Sequence, residues 1–351
     1  MVRVGQVVLV TGASRYLGGR FAELVATTPE VDRVVAVDVV PPPRPLRNVD
    51  FVRADIRNPI IAKVIAQAEV DTVAHLNVIA TPLSAGGRAS MKEINVIGTM
   101  QLLAACQRAP GVRRLVVKSS AAVYGSSPRD PGLFTEDQAA RSLPRAGFGK
   151  DSVEVEGYVR GFSRRRPDVD VSVLRFANVM GPGIQTSMTD YFTMPVLPTI
   201  AGYDARFQVV HEDDALAALR AATVRGGAGV CNVAGGGMLM LSQAARLAGR
   251  PVLPVPMAAG GWVGQVVRRS RLADFSPEQI QFLAFGRGLD TTRMREVLKF
   301  EPAYTSREAF LDFLRACRGP APWLLPALVN AAEHAERWAA AAVVGARGGA
   351  A

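Results

Sequence analysis

Short valine-rich apolar runs recur along this chain with helical pattern between them, and that alternation constrains the fold more than any other feature. The runs are Val7 to Val10, Val34 to Val37, Val70 to His75, Leu115 to Lys118 and Val169 to Leu174. A strand that is apolar on both faces must be covered on both faces, and strands joined through helices run parallel. The reading is an α/β chain with a doubly wound parallel sheet. At 351 residues, 49% of them hydrophobic, it is long enough for one such domain and a smaller appendage. From Asn178 to about Leu314 the pattern loosens and Gly and Pro punctuate short segments, as expected of a substrate-side subdomain woven into the sheet. The boundaries read as 1–177 and 208–235 for the sheet domain, 178–207 and 236–318 for the smaller one, and 319–351 for a C-terminal helix and frayed tail. Pro41-Pro42-Pro43-Arg44-Pro45 is incompatible with helix or central strand and reads as a stiff surface connection.

The first run leads directly into Thr11-Gly12-Ala13-Ser14-Arg15-Tyr16-Leu17-Gly18-Gly19. A strand, a glycine turn and a helix start in that order aim backbone N–H groups and the positive helix end at a pyrophosphate. Asp38 ends the next strand about 20 residues after the last glycine, where a carboxylate accepts ribose hydroxyls and repels a 2′-phosphate. The sheet is therefore read as Rossmann-like, with NAD expected in preference to NADP.

Several classes of function are excluded or left without support. The start, Met1 to Gly12, reads as a strand entering a turn rather than an export signal. No window holds the roughly 18 uninterrupted apolar residues of a spanning helix. Cys106, Cys231 and Cys317 lack metal spacing and lie in apolar stretches, so they read as reduced, structural thiols of a cytoplasmic protein. The net charge of +10 is spread along the chain. Its densest run, Arg164 to Arg166, ends a helix without aromatic interleaving, and no nucleic-acid partner is expected.

Further segments, taken in order, resemble the extended short-chain dehydrogenase/reductase family, the NAD-dependent epimerase/dehydratase group. Ala54-Asp55-Ile56-Arg57 is similar to the acidic segment that the family places beside adenine. Val73-Ala74-His75-Leu76-Asn77 resembles its fourth strand, whose end lines the cofactor. Asn95-Val96-Ile97-Gly98-Thr99 resembles its long fourth helix, and Ser119-Ser120-Ala121-Ala122-Val123-Tyr124-Gly125 its serine strand. Leu174 to Gly183 and Val210-His211-Glu212-Asp213-Asp214 resemble the segments that lead into the substrate region and back to the sheet. The resemblance spans roughly residues 5 to 315. It implies cofactor contacts at Gly12, Arg15, Tyr16, Leu17, Gly18, Asp38, Asp55, Ile56, Leu76, Asn77 and Asn178. It also implies a homodimer through the helices containing Met91 to Gln107 and Val153 to Arg164.

The chain departs from the family twice. Extended members carry TGxxGxxG, which puts Arg15 in place of a glycine, and non-extended members carry TGxxxGxG, which puts Tyr16 there. Either way one glycine is lost, and Arg15 is expected to pair with phosphate instead. The second departure concerns chemistry. In the family a serine or threonine holds the substrate oxygen, a tyrosine moves its proton, and a lysine four residues on lowers the tyrosine pKa and holds the nicotinamide ribose. Ser120 fills the first role. Set against YGxSK, Phe148 falls on the tyrosine and Ser152 on the lysine, in Phe148-Gly149-Lys150-Asp151-Ser152. Neither side chain ionises. Lys150 is two residues out of phase, about 200° round the helix. Tyr124 is expected to line the pocket, Tyr158 to pack, and His75 and His211 to serve as structural hydrogen-bonding residues.

On the substrate side, Met238, Met240 and Met257 mark a stretch that reads as core, with an apolar ligand as the alternative. Arg268, Arg269 and Arg271 read as solvated surface, with phosphate binding as the alternative. From Pro322 an amphipathic helix is expected to dock on its own domain or a twin subunit rather than on a membrane. Three functions stay open: an NAD(H)-binding protein with lost or altered catalysis and a sensing role; an active enzyme on a nucleotide sugar or lipid-like hydroxyl with an unorthodox acid; and an interaction protein that has abandoned dinucleotide. The small-molecule ligand is not legible.

Overall fold

In the computed structural model of the protein, residues 5–80, 86–257 and 277–317 are described. Trp262, Arg268, Arg269, Arg271 and the helix expected from Pro322 lie outside the described residues.

The valine-rich runs become strands. β1 is Gln6–Thr11, followed by α1, Tyr16–Ala26, and β2, Val31–Asp38. A short edge strand β3, Asp50–Arg53, follows, then α2, Ile60–Gln67, and β4, Thr72–His75. Next come α3, Arg88–Lys92, a π-helical turn Glu93–Gly98, and α4, Thr99–Arg108. β5, Arg114–Ser120, α5, Gly147–Arg165, and β6, Asp170–Phe176, complete this half. The chain then forms β7, Asn178–Met180, α6, Ser187–Thr193, β8, Leu197–Ile200, β9, Arg206–Phe207, β10, Val209–His211, α7, Glu212–Arg225, and β11, Val230–Val233.

Among the described residues the main sheet has seven strands in the order β11-β6-β5-β4-β1-β2-β3, all parallel. The order reverses between β1 and β4, so their carboxyl ends diverge beneath a crevice, the place where open parallel sheets bind ligands. Alternation along β1 shows why the runs had to be apolar throughout. Val8 and Val10 enter a core with Phe21 and Val25 of α1 and Leu216 and Leu219 of α7. Leu9, between them, enters the opposite core with Ile61, Leu103, Val159 and Phe162 of α2, α4 and α5. Each fully buried side chain of this size contributes about 1.5–3 kcal/mol.

A third core gathers residues that follow β6, with Phe192 against Phe207 at 5.2 Å and against Phe310 at 4.7 Å between ring centroids. β7 and β10 pair in parallel outside the main sheet. Among the described residues, no helix is long and apolar enough to cross a membrane.

Several side chains depart from their sequence-based reading. Met238 and Met257 are both exposed rather than core. Tyr158 does not pack: its ring sits on the outer face of α5, exposed. Cys106 and Cys231 are buried thiols, whereas Cys317 is exposed at the end of helix Ser306–Ala316.

Candidate functional site

A cleft of about 710 Å³ opens over the carboxyl ends of β1, β4 and β5. Its floor begins with the turn between β1 and α1. Gly12 adopts φ +81°, a conformation that a side chain disfavours, and a Cβ on Gly18 would lie 2.1 Å from the Gly12 carbonyl oxygen. The two glycines thus let strand end and helix start close on each other. No side chain caps α1, so the first backbone N–H groups of the helix are left for a ligand. Asp38, at the end of β2, accepts from the Ser14 N–H at 3.0 Å and the Val39 N–H at 2.8 Å. Its carboxylate thereby ties the strand end to the turn.

Arg15 has an extended backbone with φ −89°, so its side chain causes no strain there, and it lines the cleft. Burial lowers its pKa, and Asp38 opposes the shift. Tyr16 also lines the cleft and reaches toward α7. Its hydroxyl donates to Glu212 Oε1 at 2.6 Å, Arg20 bonds both partners at 2.9 Å, and Glu212 accepts from the Gly183 N–H at 2.9 Å. The turn is thus strapped to the start of α7. Burial, then Glu212, pushes the Tyr16 phenol pKa up.

Of the residues expected to hold cofactor, Arg15, Tyr16, Leu17, Gly18, Leu76 and Asn178 line the cleft. Gly12, Asp38, Asp55, Ile56 and Asn77 are not among its lining residues. Asp55 is engaged by Arg57, whose Nη2 lies 2.7 Å from Oδ2, and this pairing lowers the carboxyl pKa. Ile56 is buried against Gly98, and the Asn77 backbone packs on Gly12.

Another stretch of the cleft is built by β5 and α5. Ser120 lines it, and its Oγ accepts from the Ala122 N–H at 3.1 Å, leaving the hydroxyl proton directed by whatever else approaches. Phe148 also lines the cleft. Ser152, one turn along α5 and only 1% exposed, donates to the Phe148 carbonyl at 2.9 Å. Lys150 points off this face, 3.9 Å from Glu154. Tyr124 is not a lining residue: it is buried, stacked on Phe134 at 4.5 Å, and its hydroxyl meets Asn232 and Arg175 at 2.8 Å. A buried phenol needs polar partners, and the strand core supplies them. His75 bridges Thr11 Oγ1 and Thr99 Oγ1 at 2.8 Å each, and burial pushes its pKa down to about 4. His211 stacks on Tyr304 and meets Asp312 at 3.2 Å. Both histidines are structural.

Four charged residues of the cleft escaped the sequence reading. Arg88 forms a two-pronged pair with fully buried Asp151 at 2.6 Å and bonds the Gly147 carbonyl at 2.8 Å, pinning the first turn of α5. Arg287 donates to the Ala121 carbonyl at 3.2 Å and lies over the Phe282 ring at 4.8 Å. Burial holds Arg287 down at about 10 and pushes the nearby Glu278 carboxyl up. The fourth is Lys118. It alone carried a signal, being a charge inside an otherwise apolar run of a parallel strand.

Residues 8–233 match the model of the NAD dependent epimerase/dehydratase family. An uncharacterized protein of Mycobacterium tuberculosis is 49% identical over 343 residues, covering 95% of this chain and 91% of that one. The fold is similar to that of UDP-glucose 4-epimerase from Thermotoga maritima solved with UDP-glucose, with a TM-score of 0.69, 20% identity, and coverage of 89% of this chain and 99% of that one. It is also similar to that of MoeE5 in complex with UDP-glucuronic acid and NAD, with a TM-score of 0.68, 22% identity, and coverage of 90% and 99%.

Proposed function

Because the chain belongs to the NAD dependent epimerase/dehydratase family, we propose that it binds NAD(H) together with a nucleotide-sugar-like ligand and has lost ordinary turnover, its cleft serving a sensing or regulatory role. The observation that carries this reading is the pair Phe148 and Ser152. A phenyl ring stands in the cleft where the family's tyrosine falls, and the hydroxyl at the lysine position is committed to the Phe148 carbonyl. Neither can move a proton, and positioned acid–base catalysis typically supplies about 10²- to 10⁴-fold.

The residues present fit a dinucleotide. Gly12 and Gly18 keep the turn tight, the start of α1 offers N–H groups, and Asp38 stands at the end of β2. Solved complexes of the similar protein MoeE5 contain NAD with UDP-glucuronic acid or with UDP-glucose, which supports the same two kinds of ligand here. Bound NAD would supply a hydride acceptor. Ser120 would orient a ligand hydroxyl, and Phe148 and Met188 would exclude water from that end of the cleft. Without a base the ligand is held, not oxidised.

The test is calorimetric titration with NAD, NADH, NADP and NADPH, joined to overnight incubation with UDP-glucose or UDP-glucuronic acid and NAD. NAD and NADH should bind more tightly than their phosphorylated counterparts, with the sugar recovered unchanged. Absence of dinucleotide binding, or multiple turnovers of either sugar, would overturn the proposal.

A further inference from the structure

Lys118 is a lysine in the middle of a buried parallel strand, and the proposed function leaves it unused. It lies on β5 two residues before Ser120, so both side chains leave one face of the sheet and line the same cleft. Its Nζ reaches the loop after β4 and donates to the Val78 carbonyl at 3.2 Å. An ammonium has three donors, so donors remain after that bond. Among the described residues no carboxylate pairs with it. The charged or titratable groups acting with it are Arg15, from the turn before α1, and His75, from β4. Two cations in one cleft, one of them without a carboxylate, form an arrangement that an arriving anion stabilises.

We infer that Lys118 is a dinucleotide-binding residue, whose ammonium joins the Arg15 guanidinium in clasping the pyrophosphate. The inference rests on the dinucleotide reading above. Its logic follows from the turn: a glycine is replaced by Arg15, so backbone approach is supplemented by side-chain charge, and Lys118 supplies the second charge from across the crevice. The electrostatics of the free protein agree. Burial, reinforced by Arg15, brings the Lys118 amine down to about 8, so it keeps most of its charge at neutral pH and loses it just above, where a bound phosphate would help hold the proton. His75, itself held neutral by burial and by Lys118, adds no positive charge near neutral pH. Asp38 acts on Arg15 rather than on Lys118.

The test uses the full chain and two ligands that share the pyrophosphate, NAD and ADP-ribose, with adenosine as the phosphate-free control. Lys118→Met should weaken both NAD and ADP-ribose by roughly tenfold or more, the size of a charge-assisted hydrogen bond. Adenosine should be unaffected, and the unfolding midpoint should stay at or above the wild-type value, because Met fills the space of the lysine stem. Lys118→Arg should keep most of the affinity. Wild-type affinity for ADP-ribose should fall as pH rises beyond about 8, where the free amine loses its proton, and the Arg variant should not follow. Equal binding of ADP-ribose by the Met variant and the wild type overturns the inference and leaves the dinucleotide reading standing, as does a loss confined to NAD. If the Met variant does not fold, a wild-type affinity that stays flat across that pH range overturns it instead. A wild-type protein that binds neither ligand overturns both readings.

Discussion

The Ser152 hydroxyl donates to the Phe148 carbonyl at 2.9 Å, so the side chain at the family's lysine position is tied to the backbone of the residue at its tyrosine position. Both sit on the first turns of α5, held there by the buried Asp151 and its two bonds from Arg88. The helix that carries these two positions is thus firmly placed, so on the proposed reading the defect is one of side chains.

This leads to a repair experiment. Phe148→Tyr places a phenol in the cleft, and Ser152→Lys places an ammonium one turn away to lower its pKa. Each change alone should be silent, whereas the double variant should convert UDP-glucose or UDP-glucuronic acid measurably above the wild-type background, followed by product chromatography. A folded, NAD-binding double variant with no conversion of either sugar would show that the lost pair is not the whole of the defect.

On the buried face of the same helix, Glu156 accepts from Arg175 Nη2 at 2.6 Å and from Ser119 Oγ at 2.6 Å, with side-chain exposures of only 6% for Glu156 and 12% for Arg175. Removing one member of a buried pair leaves the other charge uncompensated, which costs about 3–5 kcal/mol. Glu156→Ala should therefore lower stability by about that amount in a urea titration, and Glu156→Gln, which keeps a hydrogen-bonding carbonyl, by less. An Ala variant as stable as the wild type would mean that Arg175 finds solvent or another partner.

The sheet was legible because parallel strands buried on both faces need continuous apolar runs, such as Val7 to Val10 in β1, Val34 to Val37 in β2 and Leu115 to Val117 in β5. β3 was not, since Asp50–Arg53 is a short edge strand with charged ends and little burial. Phe148 and Ser152 could be singled out because their four-residue spacing is kept in the sequence, and both lie on α5. Arg88 with Asp151 was not, because the two lie 63 residues apart and meet only through the packing of α3 against α5. Tyr124 was misplaced because the chain leaves β5 through a short helical turn, Ala121–Tyr124, which carries the ring into the core against Phe134. The Asn232 and Arg175 partners that draw its hydroxyl inward come from other strands.

His75 carries a pH consequence. Its folded pKa lies at about 4 against about 6.5 in an unfolded chain. Between these values the unfolded state binds the extra proton, so stability rises with pH. The contribution is fully present above about 6.5, is lost as pH falls toward 4, and amounts to about 3 kcal/mol. Wild-type unfolding free energy should drop across that window, and His75→Gln should show a shallower slope. Parallel slopes would assign the acid sensitivity to other groups.

Asp38 links the turn to nucleotide choice. One carboxylate oxygen accepts from Ser14 and the other from Val39, which fixes the negative charge at the end of β2, where an adenosine ribose would lie in a sheet of this order. A 2′-phosphate brought there meets a carboxylate that cannot rotate away without breaking two backbone bonds. Asp38→Ser removes the charge while keeping an acceptor for the Ser14 N–H, so the turn should persist. The expected result is little change for ADP-ribose and a gain for its 2′-phosphorylated form, narrowing the ratio of the two dissociation constants by roughly tenfold, one charge–charge repulsion's worth. Both constants should come from the same calorimetric series at fixed ionic strength, since screening alone moves them. If the ratio stays as in the wild type, discrimination lies elsewhere in the cleft, and Asp38 serves only to hold the turn.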